Sequence, residues 1–304
     1  MEKNKIFGII IFILIIFVVL FSIFKSNAPA PVVFPNPVRT GDNISLIRIE
    51  GTIGTSTLGE QGISPDNIKG LLNEAKSDAS RALIIQIDSP GGAVEPTQEI
   101  YNNIQQFKEE TGKKVYISMR SEAASGGYYI ACAGDKIIAM PTTLTGSIGV
   151  IMRLINYQEL LEKIGLKETI IKSGTYKDIG SPTRDITEKE QKMLQEIIDE
   201  TYTQFLDTVS KARNIPLDDL KNIAQGQIYT GIQAKKLGLV DDLGDLQDTI
   251  EIIKKDLNIQ GTPIIIIHEK KQSILSLLNF KSNISELNLL NNLKPVKLEY
   301  IMIP

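Results

Sequence analysis

Cysteine and histidine are nearly missing from this 304-residue chain, which has one of each, Cys132 and His268. A single cysteine cannot close an internal disulfide, and one Cys with one His cannot build a Cys/His zinc site. No metal and no other cofactor is expected, and any dyad or triad must use His268 or do without histidine. An excess of one charge is lacking too. The chain has 33 Lys and Arg against 36 Asp and Glu, a formal net charge of -3, and no basic run exceeds a dipeptide. Nucleic acid is therefore not an expected partner. Glycine and proline are not in excess and there is no low-complexity tract. With 42% hydrophobic and 23% charged residues, the composition is that of a folded domain and excludes disordered, collagen-like and prion-like chains.

A long apolar run occurs once before the folded part. Ile6 to Phe24 contains only Ile, Phe, Leu, Val, Gly8 and Ser22, bounded by Lys5 and Lys25. At 1.5 Å per residue it spans about 28 Å, enough for a bilayer core. Ala28-Pro29-Ala30 resembles a signal-peptidase site, but Pro31 follows at once, and the run is longer than a signal peptide's apolar region. The run reads as an uncleaved anchor. Lys3 and Lys5 before it keep the N-terminus cytoplasmic and put the rest of the chain outside the cytoplasm. Pro29, Pro31, Pro35 and Pro37 then make a stiff spacer. The expected divisions are residues 1–25 for the N-terminus and anchor, 26–44 for the spacer, 45–258 for one catalytic-type domain and 259–304 for a C-terminal extension.

Beyond the spacer, apolar strand-like runs alternate with helical patterns. Strands are predicted at Ser45 to Ile53, Ala82 to Ile87, Lys114 to Met119 and Lys136 to Met140, and a further one after Pro263. Helices are predicted from Ser64-Pro65 to Ala75, over Glu95 to Glu110, near Ser125, from the capping box at Thr187 to Glu190 out to Arg213, and around Leu217 to Ala224 and Gly231 to Leu237. Near-continuous apolar strands joined by helices predict an α/β fold with a mainly parallel sheet.

Reactive groups in such sheets collect where strand ends meet helix starts, because exposed backbone N–H groups there stabilise negative charge. Two segments qualify. In Asp88-Ser89-Pro90-Gly91-Gly92 the glycines leave N–H groups unshielded, though a plain strand-to-helix turn would look the same. In Ala124-Ser125-Gly126-Gly127 the serine is sterically open, with the Gly126 N–H behind it, though a plain Ser N-cap would also fit. A serine nucleophile needs a base. His268 follows the Ile264–Ile267 run and reads as a solvated or packing residue. A lysine can serve if neutral, and lowering its pKa from about 10.4 to about 8 requires desolvation costing about 3 kcal/mol. Lys177 is a candidate: it leaves an apolar Ile170-Ile171 strand through Ser173-Gly174 and lies between Tyr176 and Ile179, where partial burial is expected. Cys132, among small apolar residues, reads as a packing thiol.

The run A-S-G-G-Y-Y-I-A from Ala124 to Ala131 resembles the nucleophile motif of the signal peptide peptidase A (SppA) family, membrane-bound Ser/Lys peptidases with a ClpP/crotonase-like fold. Asp88 to Gly92 (D-S-P-G-G), Thr145 to Val150 (T-G-S-I-G-V), Ser173 to Asp178 with its Y-K-D, and Gly238 to Asp241 after Tyr229-Thr230-Gly231 agree in order. The resemblance implies Ser125 as nucleophile, Lys177 as general base, Ser147 as the hydroxyl orienting the amine, and Gly91 and Gly126 as oxyanion donors. Ser147 could equally be a turn residue. With one domain and one anchor, the chain is similar to the short form of the family, which implies a ring-like homo-oligomer, with Ser and Lys on one chain or on neighbouring chains. The implied function is a membrane-anchored serine endopeptidase acting on signal peptides and other hydrophobic peptides bound as strands beside Gly91-Gly92. Two alternatives are an inactive membrane scaffold of the same fold and a crotonase-like acyl-CoA enzyme. The C-terminal Lys294 to Pro304, apolar and β-prone, could occupy the groove as a product-like brake or be an ordinary terminal strand.

Overall fold

The computed structural model describes residues 42–54, 62–269 and 298–301. The apolar run at 6–24 and the proline-rich spacer lie outside the described residues, among which no helix is long and apolar enough to cross a membrane.

Strands β1 (Asn43–Glu50), β2 (Ser80–Ser89), β4 (Lys114–Ala124), β5 (Lys136–Ala139), β9 (Asp242–Leu243) and β10 (Ile265–His268) form a parallel sheet in the order β10-β1-β2-β4-β5-β9. Strand β6 (Leu144–Gly146) continues the sheet beside the end of β4, and β8 (Ile228–Thr230) pairs antiparallel with β6. A second, three-stranded sheet has the order β3-β11-β7, from β3 (Gly91–Ala93), β11 (Leu298–Ile301) and β7 (Ile151–Met152). The residues after 258, read from sequence as an extension, thus contribute an edge strand to one sheet and the middle strand of the other.

Both faces of the large sheet are covered, which explains the near-continuous apolar strands. Ile47, Ile49, Leu83, Ile85, Ile87 and Ile117 pack under α1 (Pro65–Ser77), α2 (Val94–Thr111) and α3 (Gly126–Ala131). The alternate positions Ile44, Leu46, Ala82, Ile84 and Tyr116 meet Ile250 and Ile253 of α8 (Leu246–Leu257). Each such buried aliphatic side chain stabilises the fold by roughly 1.5–3 kcal/mol. Helix boundaries follow local chemistry. Pro65 opens α1, Gly112 ends α2 at φ 65°, and a Thr187/Glu190 capping box opens α5 (Glu188–Arg213). The remaining described helices are α4 (Gln158–Lys163), α6 (Leu217–Ile223) and α7 (Gly231–Lys236).

The N-terminal ends of the strands hold a polar cluster. The Asp78 carboxylate accepts from the Ser80 N–H (3.0 Å), from Lys113 Nζ (3.0 Å) and from the Ser45 and Ser80 hydroxyls, and His268 Nε2 lies 2.9 Å from it. Burial alone would raise this carboxyl, but the hydrogen bonds from Ser45, Ser80 and Lys113 outweigh it and hold Asp78 well below the usual carboxylate range. Stability from Asp78 is therefore fully present above its unfolded value near 4 and is lost as pH falls toward the lowered folded value. His268 is buried, and its Nδ1 lies 3.3 Å from Glu74 on α1. It is a packing residue tying β10 to α1, and not a solvated one. It stands three strand spacings, about 14 Å, from β4, out of reach of any group at the end of that strand. His268→Ala should lower stability by about 1–3 kcal/mol in thermal unfolding while leaving unchanged the peptidase activity that the sequence resemblance implies. A clear loss of turnover in the folded variant would restore histidine as a candidate base.

Candidate active site

Strand β4 ends at Ala124 and the next residue, Ser125, turns the chain sharply at φ 52°, ψ -113° before α3 begins. A non-glycine residue there is strained, and such strain persists only where the surroundings fix it. They do so here: the Ser125 N–H donates to the Gly146 carbonyl and the Ser125 carbonyl accepts from Tyr129 N–H, both at 2.8 Å. Ser125 is buried, makes no N-cap bond, and among the described residues its Oγ has no hydrogen-bond partner. A plain N-cap serine would satisfy its hydroxyl on the helix. This one is left free at a strand–turn–helix elbow, the setting in which a hydroxyl can attack a carbonyl.

Ser147 is built in the same way. Ala124 pairs with Gly146, so Ser125 and Ser147 leave adjacent parallel strands at the same level, about 5 Å apart. Ser147 also has a positive φ, 50°, and its N–H donates to Gln227 O at 2.7 Å. It lines a cavity of about 480 Å³ with Ile148, Val150, Ile151, Tyr202 and Gly226.

Gly91, at φ 103°, and Gly126 bring two backbones together. A Cβ on Gly91 would lie 2.7 Å from Gly126 N and 2.1 Å from the Tyr300 carbonyl oxygen, and one on Gly126 would lie 3.1 Å from that same oxygen. The Tyr300 carbonyl is therefore held against both glycines. The Gly91 N–H meanwhile donates to Ser89 Oγ at 3.1 Å. Tyr300 belongs to β11, which runs antiparallel to β3, with Tyr300 opposite Gly92, and to β7, with Glu299 opposite Ile151. Its ring is buried, stacks on Tyr129 at 5.5 Å and 17°, and lies 4.8 Å from Phe205, while its hydroxyl donates to Thr201 O at 3.2 Å. Sequence separation hides this aromatic pocket, since Tyr129, Phe205 and Tyr300 share no local pattern.

Lys177 is not joined to these groups within the chain. Its turn is fixed by Lys177 N–H donating to Gly174 O at 3.1 Å, but the side chain is exposed and among the described residues its amine has no partner. The strand expected at Ile170-Ile171 is absent: both side chains are exposed, Ile171 by 97%, and no strand pairs with them. The expected burial of Lys177 fails for the same reason, because nothing among the described residues covers the arm formed by residues 153–186. Leu154, Ile155, Leu160, Ile164 and Leu166 are exposed along the arm as well.

The arm is braced by charges of which the motif reading includes only Asp178. Arg184 grips Asp178 through Nε and Nη2, both at 2.9 Å, and Glu190 through Nη1 at 2.9 Å, and Lys172 Nζ also meets Asp178. Hydrogen bonds from Arg184 and then Lys172 hold Asp178 well below the usual carboxylate range. Arg184, then the Thr187 N–H, hold Glu190 down to about 2. Arg184 is raised in turn by Glu190 and Asp178. The sequence signals are Asp178's place in the Y-K-D run and Glu190's place in the capping box; nothing local marks Arg184 as their partner.

The model of peptidase family S49 matches residues 107–260 and that of Clp protease matches residues 39–145. The chain is 42% identical to a candidate protease of Synechocystis sp., over 71% of this chain and 75% of that protein. It is 38% identical to a candidate signal peptide peptidase SppA of Enterococcus faecium, over 62% of this chain and 54% of that one, and so spans about half of that relative. It is 34% identical to the chloroplastic serine protease SPPA of Arabidopsis thaliana, over 80% of this chain and 36% of the plant protein.

If the Gly91 approach holds β11 in place, Gly91→Ala should expel that strand. The methyl collides with Tyr300 and Gly126, and the backbone conformation adds about 1–3 kcal/mol of strain. Amide hydrogen exchange at residues 298–301 should become fast while β2 and β4 stay protected. Unchanged protection at 298–301 would mean that other contacts hold the strand.

Proposed function

The chain belongs to peptidase family S49, the SppA family, and from that premise we propose that it is a serine endopeptidase of hydrophobic peptides with Ser125 as nucleophile and Lys177 as general base. The observation that carries this reading is β11: a peptide strand paired on both edges, its Tyr300 carbonyl against Gly91 and Gly126, one residue from a buried, unpartnered serine hydroxyl. Peptides recognised by strand addition take their affinity from backbone bonds and their selectivity from side-chain pockets. Here the pocket beside the carbonyl is aromatic and fits a large apolar residue.

In this reading Ser125 Oγ attacks the substrate carbonyl as the neutral Lys177 amine takes its proton, with the amine oriented by Ser147. The Gly126 N–H and the Gly91 N–H, released from Ser89, stabilise the oxyanion, each donor contributing about 3–4 kcal/mol. The protonated lysine then gives its proton to the leaving amine, and water resolves the acyl-enzyme.

The exposure of Lys177 supports completion of the dyad by a second copy of the chain. The uncovered apolar side chains of the same arm would stabilise such a contact by roughly 1.5–3 kcal/mol each if fully buried, and the contact would desolvate the amine. We further propose that Ile6 to Phe24 anchors the protein, that the proline-rich spacer holds the catalytic domain outside the cytoplasm, and that left-over signal peptides are the natural substrates. An inactive scaffold of the same fold is disfavoured by Ser125, whose strain and unpaired hydroxyl have no packing use. In the same frame β11 acts as a product-like brake.

Ser125→Ala and Lys177→Met should each abolish cleavage of an internally quenched apolar peptide while remaining folded. Mixing the two inactive full-length variants should restore part of the activity, because some interfaces then pair an intact serine with an intact lysine. Labelling by a fluorophosphonate should vanish in Ser125→Ala. A mixture that stays inactive despite subunit exchange would place both groups in one chain, and full activity of Lys177→Met would remove it as the base.

Removing all residues after Leu293 should raise activity on short peptides severalfold if β11 is a brake. Unchanged activity in the shortened protein would reduce β11 to a terminal strand.

A further inference from the structure

Lys177 and Asp178 are neighbours on one tight turn, closed by Ile179 N–H to Tyr176 O and Ser181 N–H to Asp178 O. A free carboxylate beside a lysine is its natural counter-ion and favours the protonated amine, the form that cannot act as a base. In this structure the carboxylate is not free. One oxygen of Asp178 receives Arg184 Nε at 2.9 Å. The other receives Arg184 Nη2 at 2.9 Å and Lys172 Nζ at 2.5 Å, and the Asp178 carbonyl accepts from Nη2 at 3.2 Å. This is the two-pronged geometry that a guanidinium offers and an ammonium does not.

The guanidinium is itself fixed. Nη1 donates to Glu190 Oε2 and to the Asp185 carbonyl, both at 2.9 Å. Glu190 is buried, and the same oxygen accepts the Thr187 N–H at 3.0 Å in the capping box of α5. A continuous set of bonds therefore runs from the start of a 26-residue helix to the residue next to Lys177. Among the described residues, the charged groups around the turn include Lys172, Asp178 and Arg184 from the arm, Glu168 through Thr183 and Ser181, and Glu190 and Lys189 from α5, with Lys189 Nζ 5.4 Å from the centre of the Tyr176 ring.

We propose that Arg184 is a positioning residue for the general base: it occupies Asp178 so that the Lys177 amine has no counter-ion on its own turn. The proposal rests on Lys177 being the base. It separates two effects of one side chain. Bracing the arm affects activity equally at every pH, whereas withholding Asp178 sets the pH at which activity rises.

The test is kcat/KM against pH for the full-length protein in detergent micelles, with a quenched peptide containing Leu-Glu-Tyr-Ile-Met-Ile. Arg184→Gln should move the rising limb about one pH unit upward, seen as a roughly tenfold loss at a fixed pH on that limb. Adding Asp178→Asn to Arg184→Gln should return the limb to the parent position, and Asp178→Asn alone should not move it upward. Arg184→Lys, which keeps the charge without the fork, should move it upward by less. It serves as the readout if thermal unfolding shows that Arg184→Gln does not fold. An equal loss at all pH values with the limb unmoved, or a double variant whose limb stays shifted, would overturn the role of Arg184. An active Lys177→Met would overturn the assignment of the base and this proposal with it, whereas an inactive Lys177→Met with an unmoved limb overturns this proposal alone.

Discussion

The cleft exists because two stretches of backbone approach with no side chain between them. The start of α3 meets β3 at Gly126 and Gly91, and a methyl on Gly91 would intrude on both Gly126 N and the carbonyl of the strand docked there. Glycine is the one residue that allows this approach and also adopts φ 103° freely. The remaining features of the site are arranged around that contact. Ser125 stands at the end of β4 one residue before Gly126, β7 pairs with the other edge of the docked strand, and the aromatic rings of Tyr129 and Phe205 pack on Tyr300 beside it.

The large sheet supplies the precision. In a parallel sheet the strand ends share one edge, and register fixes which residues meet there. The pairing of Ser89 with Ala123 follows an irregularity in the β2–β4 ladder after Ile87, a local shift of the kind that re-aims strand ends at sites. The pairing of Ala124 with Gly146 then sets Ser125 and Ser147 side by side. Both residues hold a positive φ, so the edge carries two strained serines supported by a well-packed core.

Much of this was legible in the sequence because it is encoded locally. The apolar runs, the Ser64-Pro65 start and the Thr187/Glu190 box are short patterns with direct structural meaning, and the small residues around Ser125 mark an open elbow. Legibility ended where partners are distant or unpatterned. The union of Asp178, Arg184 and Glu190 crosses an irregular loop in which no period applies. Tyr300 meets Tyr129 and Phe205 across long stretches of chain, and His268 finds Glu74 and Asp78 only after β10 joins the sheet edge. The expected burial of Lys177 failed because flanking apolar residues bury a side chain only when something packs against them.

The double-edged pairing of β11 carries a consequence for whatever peptide takes its place. A strand bonded on both sides must surrender its own helical hydrogen bonds along that length, since each backbone N–H and C=O serves one architecture at a time. An apolar peptide lying in a bilayer satisfies those groups internally as a helix. Under the proposed peptidase reading, admission to the cleft would select for segments that unwind readily, such as those broken by glycine or frayed at an end. In that reading, persistent helical structure would itself keep an intact membrane span out of the cleft.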